Sequence, residues 1–199
     1  VASTKAFLGQ CLALTMMALS IGRRRYLSSM LHEQLLEDMS LLPSHISTIL
    51  SKSEQIKEIT ERSIDRDNWL FLGRGYNYPV AMEGALKLKE ISYIHAEGMP
   101  AAEMKHGPIA LIDEGMPAVF VATRNSQYKK VLSNIEEVRS RGGKVIAVCT
   151  EGDKEIGNHV DEIIEVPAIS EPLEPILTAV PLQLIAYHAA VLRQKDVDK

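Results

Sequence analysis

The chain has 199 residues, 46% of them hydrophobic, which is enough for one domain with a sizeable core plus a helical extension. A formal net charge of −4 argues against a nucleic-acid-binding surface. Cys11 and Cys149 match no metal or redox spacing and read as reduced core thiols of a cytosolic protein.

Residues 4–22, TKAFLGQCLALTMMALSIG, predict an apolar core helix. Gln10, Thr15 and Ser20 interrupt the run, and it falls short of the ~20 predominantly apolar residues of a membrane span. No small-residue cleavage site precedes Arg23-Arg24-Arg25, so it is not read as a signal peptide either. The arginines suit a helix C-terminus. Residues 31–66 carry two more helical patterns, broken at Pro43-Ser44, where Ser44 can cap the second. His32 and His45 read as surface residues or local hydrogen-bond partners.

From residue 69 the pattern alternates strand and helix. A buried strand over 69–72 turns on Gly73-Arg74-Gly75 into a helix over roughly 79–95, and a loop follows to His106-Gly107-Pro108. The apolar run 118–123 predicts a strand covered on both faces. An amphipathic helix over 127–141 ends at Gly142-Gly143, and strands over 144–150 and 162–167 follow. The last element is a long apolar helix over 173–192. Together these imply an α/β fold: a small doubly wound parallel sheet with an N-terminal helical extension. Such sheets bind ligands at the carboxyl ends of their strands.

The helix over 79–95 is apolar nearly all round, as buried helices are. Yet Glu83, Lys87 and Glu90, at i, i+4 and i+7, share one stripe, which is costly in a core unless paired or facing a wet cleft. From spacing alone an ordinary ion-pair ladder is the stronger reading, since Glu before Lys at i+4 is the favoured order. His106 shifts the balance, because a carboxylate and a histidine form a general acid/base set. Other motifs fail. Gly73-Arg74-Gly75 lacks a third glycine, because Tyr78 stands there. There is no P-loop, and no cluster has metal-ligand spacing. His188, on the last apolar helix, reads as a hydrogen-bonded core histidine.

The run LGRGYNYPVAMEGALKLKEISYIHAEGMPAAEMKHGPIALI resembles the last sugar-isomerase (SIS) domain of the glucosamine-6-phosphate synthase family, the glutamine:fructose-6-phosphate aminotransferases. The segments EGALKLKEISYIHAE and KHGPIALI carry most of the resemblance, and NIEEVRSRGG, TAVPLQLIAYH and VASTKAF extend it over the whole chain. It implies a flavodoxin-like SIS sheet over 67–199, with 1–66 a helical segment linking from a preceding SIS domain. The family transfers glutamine-derived ammonia to fructose 6-phosphate and isomerises the imine to glucosamine 6-phosphate. By match to EGALKLKE, Glu90 is the base that moves a proton between C2 and C1. Lys87 balances its charge or stabilises enolate-type charge, and Glu83 orients Lys87. By match to KHGP, His106 is the ring-opening acid/base, contributed across a homodimer interface. Val1, Ala2 and Ser3 touch the sugar.

The resemblance further implies a cytoplasmic enzyme without metal or cofactor, and no nucleic-acid or membrane partner. Against the family pattern, the glutaminase domain, the phosphate-binding SIS domain and a tail lysine lie outside these residues. The first residue is Val rather than Met. The chain is thus expected to be a piece of something longer, inactive by itself. Two other readings share the fold: a non-catalytic sugar-phosphate-binding regulatory module, and a simple aldose-ketose isomerase. The first would need no Glu90-type base.

Overall fold

A computed structural model describes residues 2–198. Three helices come first: α1 (Lys5–Arg23), α2 (Ser29–Ser51) and α3 (Ser53–Glu61). The alternating part follows with β1 (Asn68–Gly73), α4 (Asn77–Ser92), β2 (His95–Pro100), β3 (Pro117–Ala122), α5 (Tyr128–Ser140), β4 (Lys144–Thr150), β5 (Glu162–Val166) and α6 (Glu174–Leu192). Two 3₁₀ turns, Ala101–His106 and Pro108–Leu111, link β2 to β3.

All strand pairs are parallel, in the order β2-β1-β3-β4-β5. This is the flavodoxin-like order, and its topological switch point lies between β1 and β3. The sheet separates two apolar layers. One face packs against α3, α4 and α6, with α1 and α2 outside them; the other packs against α5 and the 3₁₀ turns.

Three expectations need correction. The helix predicted to reach His95 stops at Ser92, and β2 occupies residues expected to form a loop. Tyr93 takes a left-handed conformation, φ 60°, and the Ser92 hydroxyl accepts from the Ile94 N–H. That pair ends the helix and turns the chain onto the sheet edge beside β1. Pro43 does not break the chain either, because α2 runs straight through it. Leu35, Leu42 and Ile49, spaced by one heptad, are all buried on one stripe, and their packing outweighs the lost backbone bond. Ser44 caps nothing; its hydroxyl donates to the Leu41 carbonyl, and Ser47 donates to that of Pro43.

The third correction concerns α1. It was read as a core helix, but only Leu19 is buried, while Leu14, Met16, Met17 and Ile21 are exposed. By length and composition both α1 and the stretch Glu171–Leu192 could cross a bilayer, so shortness alone does not set α1 aside. The second stretch is 67% buried in the fold, and α1 only 6%.

Close approach fixes α4 on the sheet. A Cβ on Gly84 would stand 2.7 Å from Leu182 Cδ1 and 3.0 Å from Phe71 Cδ1, and one on Gly98 would stand 2.4 Å from Met82 Cα. Only glycine lets α6, β1 and β2 come this near. Gly84→Ala is expected to lower unfolding free energy by about 1–3 kcal/mol through overpacking. Gly9 in α1 has nothing within 4 Å of a built Cβ, so Gly9→Ala should raise it by about 0.5–1 kcal/mol. Urea titration of both variants checks the pair; equal shifts of the same sign would contradict this packing.

Candidate functional site

The charged stripe of α4 is assembled as its spacing predicts. Lys87 is 3% exposed, and its Nζ donates to Glu90 Oε2 and lies 3.6 Å from Glu83 Oε1. A buried ammonium is tolerated only when paired, and here a carboxylate from each adjoining turn pairs it. Glu83 is itself nearly buried; burial pushes its carboxyl above the ordinary range, and Lys87 partly offsets that. The Cys11 thiol on α1 is pushed up by burial and by its nearness to Glu83, which places α1 beside the stripe. Glu90 is the most exposed of the three, its side chain 34% accessible. No described residue donates to its other oxygen. Along the rest of α4, Val80, Ala81, Ala85, Leu88 and Ile91 are buried, but Met82 and Leu86 are exposed, so the helix is buried on most of its surface rather than all round.

Lys87 lines a cleft of about 240 Å³ together with Ala2, Thr4, Ile91, Gln183 and Tyr187; residues 197 and 198 close its other side. Ordinary ligand pockets hold ~300–1,000 Å³, so this is a partial pocket. Both ends of the described chain therefore approach Lys87. Of the residues predicted to touch a sugar, Ala2 lines this cleft, Ser3 is exposed outside it, and Val1 lies outside the described residues.

His106 is placed elsewhere. It is exposed at the end of the first 3₁₀ turn, whose Ala101 and Met104 are buried against the α5 side of the sheet. Lys105 pairs with Glu137 of α5 at 2.7 Å, which holds the turn there. Among the described residues His106 makes no hydrogen bond or ion pair. The fold thus pairs Lys87 with Glu83 and Glu90, sets Ala2 in the same cleft as Lys87, though neither carboxylate lines that cleft, and leaves His106 on the opposite face of the sheet.

Other candidates resolve as structural. His188 is 7% exposed, its Nε2 is 2.9 Å from Ser53 Oγ, and burial lowers its basicity. Burial pushes the Cys149 thiol up to about 12, which removes it as a nucleophile. A cavity of about 450 Å³ opens beside Asn68, His95 and Asp113, at the amino ends of β1 and β2, opposite the end where α/β sheets bind ligands. Among the described residues no group of three or more His, Cys, Asp or Glu is placed to hold a metal ion. Sequence reasoning missed one polar centre, built by Asn77, Thr123, Asn125 and Glu174. Its members are far apart in the chain; the visible signal was an acidic residue opening an otherwise apolar helix.

Comparison with known proteins agrees with this fold. The SIS domain profile matches residues 64–193. The chain is 54% identical over its whole length to a glutamine--fructose-6-phosphate aminotransferase [isomerizing] of Chlorobaculum tepidum and 46% identical to that of Escherichia coli, covering 32% and 33% of them. It therefore spans about a third of the length of the curated relatives it matches. Among solved structures, the C-terminal domain of glucosamine-fructose-6-phosphate aminotransferase from Francisella tularensis superposes with a TM-score of 0.93 at 39% identity, covering 100% of this chain and 56% of that one. Tagatose-6-phosphate ketose/aldose isomerase from Escherichia coli shares the fold alone, with a TM-score of 0.67 at 19% identity over 79% of this chain and 45% of that one.

If Lys87 neutralises two carboxylates in a dry setting, Lys87→Met should destabilise the chain by about 3–5 kcal/mol at pH 7, as breaking a buried ion pair does. The loss should shrink on acidification. Without Lys87, the Glu83 pKa rises further above its unfolded value, so the penalty is absent below the unfolded pKa and grows as pH rises through the folded one. Urea unfolding at pH 7 and at pH 4.5 reads both; a loss independent of pH would contradict the pairing.

Proposed function

The chain belongs to the SIS domain family, and on that premise we propose that it is the isomerase part of an isomerising glutamine:fructose-6-phosphate aminotransferase. In this reading the whole enzyme adds glutamine-derived ammonia to fructose 6-phosphate and converts the imine to glucosamine 6-phosphate. The residues of this chain carry the second step. The observation behind the reading is the buried Lys87, held between two carboxylates at a cleft that both chain ends approach.

Moving a proton from C1 to C2 needs one base that reaches both carbons from one side. Glu90 suits this: Lys87 holds one oxygen, and no described residue donates to the other. Lys87 steadies the negative charge that gathers on the substrate between the two proton transfers. Glu83 positions Lys87. The sugar contacts fall to residues 1–3, of which Ala2 already lines the cleft. The SIS domain proper begins near residue 67, and residues 1–66 link to a preceding SIS domain. The reading places the enzyme in the cytoplasm, without metal, cofactor, nucleic-acid or membrane partner.

His106 acts as ring-opening acid/base in the site of a second copy. What supports this is its position, in a turn packed on the face of the sheet opposite α4. The exposed apolar side chains of α1 and α2, Met16, Met17, Met30 and Leu36 among them, are apt for burial in an assembled enzyme.

In the complete enzyme, Glu90→Gln should lower the isomerisation rate ~10²–10⁴-fold while thermal melting stays near wild type, and Lys89→Gln, on the exposed side of α4, should leave the rate unchanged. A His106→Gln enzyme should also be slow. Subunits of the two slow variants, mixed and re-paired at random, should regain about a quarter of wild-type activity, because half the dimers then carry one intact site. Near-normal isomerisation by folded Glu90→Gln would overturn the base assignment. A mixture no faster than its parents would overturn the shared site.

A further inference from the structure

In an open α/β sheet the switch point between β1 and β3 is where a ligand ordinarily sits. In this chain the crevice is filled by the chain's own carboxylate. Glu174, the first residue of α6, is 5% exposed. Its Oε2 accepts from Asn77 Nδ2 at 2.9 Å, Thr123 Oγ1 at 2.7 Å and Asn125 Nδ2 at 2.7 Å. Asn77 opens α4 just after the Gly73-Arg74-Gly75 turn, and Thr123 and Asn125 follow β3 directly. The donors thus come from both strands that flank the switch point.

The donors have further partners of their own. Thr178 Oγ1 lies 3.0 Å from Asn77 Oδ1 and 2.9 Å from the Glu174 carbonyl oxygen, which share its one proton, and the contact with Oδ1 leaves the amide nitrogen of Asn77 facing the crevice. Asn125 Oδ1 accepts from the Gln127 N–H, which fixes the other amide in the same sense. Three residues before Glu174, Glu171 accepts from Ser126 of the β3–α5 loop, from its hydroxyl at 2.8 Å and its N–H at 3.5 Å. Among the described residues no lysine or arginine forms an ion pair with Glu174. Neutral donors converging on one buried oxygen are the arrangement by which proteins hold oxyanions.

We infer that the switch-point crevice is an oxyanion site, of the kind that takes a phosphate or carboxylate group, which this chain keeps closed with Glu174. The space left beside the carboxylate is about 40 Å³, with Thr123, Arg124 and Thr150 in its wall. It admits water but not a sugar phosphate. Burial raises the Glu174 carboxyl above its ordinary range, and the Asn125, Thr123 and Asn77 donors offset part of that rise. A sugar phosphate bound to this chain must therefore lie outside the crevice that the topology offers. The inference does not depend on the role given to Glu90.

Removing the plug should open the site. Glu174→Ala in the whole chain is expected to bind inorganic phosphate about tenfold more tightly than the unaltered chain, by calorimetry and by phosphorus NMR line broadening. Phosphate should also raise its melting temperature more than that of the unaltered chain, by the linkage of binding to folding. Acetate, tested in parallel, separates a site that accepts any oxyanion from one that prefers phosphate, and either response supports the inference. Thr123→Val added to Glu174→Ala should cancel the gain. Glu174→Gln, which keeps the space filled, should bind no phosphate. If Glu174→Ala does not fold in anion-free buffer, refolding in phosphate or acetate should restore it. The inference is overturned if folded Glu174→Ala responds to neither anion beyond the unaltered chain. It is equally overturned if an unfolded variant is not rescued by either.

Discussion

The constraint on which the candidate site depends is the burial of Lys87. An ammonium group 3% exposed is costly unless it is paired, and α4 itself supplies Glu83 one turn before and Glu90 one turn after. That need fixes the direction of both carboxylates. It also demands that α4 sit immovably, which explains the absence of a side chain at Gly84 and Gly98, where α6, β1 and β2 press against the helix. Packing and charge placement are here two aspects of one constraint. Any shift of α4 that relieved the packing would also displace the pair.

The amino end of the same helix is held by a different device. Asn77 is clamped between Thr178 and Glu174, so α4 is tied to α6 by hydrogen bonds at its start and by close packing along its length. The sheet thus has a closed crevice at its switch point, and a cleft lies apart from it on the flank of α4. The crevice between β1 and β3 is occupied by Glu174, and the cleft at Lys87 remains accessible. This division is compatible with the proposal that the chemistry lies on the flank of α4 rather than at the switch point.

Much of this was legible in the residues. Continuous apolar runs marked β1, β3 and β4 because both faces of the sheet are covered, and 3.6-residue spacing placed Glu83, Lys87 and Glu90 on one stripe. What escaped is non-local. β2 is an edge strand with exposed His95 and Glu97, so it lacks the apolar run that marked the others, and a side-chain bond from Ser92 ended α4 earlier than its pattern suggested. Pro43 was read as a break because proline usually is one, while the heptad Leu35, Leu42 and Ile49 was the stronger signal. The remoteness of His106 from Glu90 depends on which face of the sheet each segment covers, and no local pattern encodes that. The Glu174 centre joins side chains up to 97 positions apart.

The central claim is that Glu90, aimed by the buried Lys87, is the base for a sugar phosphate. A structure of the complete enzyme with glucosamine 6-phosphate bound tests it most directly. The account predicts C1 and C2 within about 3–3.5 Å of the free Glu90 oxygen, the Lys87–Glu90 bond intact, and Glu174 still seated on Asn77, Thr123 and Asn125. Sugar carbons out of reach of Glu90, or a phosphate seated in the crevice in place of the Glu174 carboxylate, would contradict it.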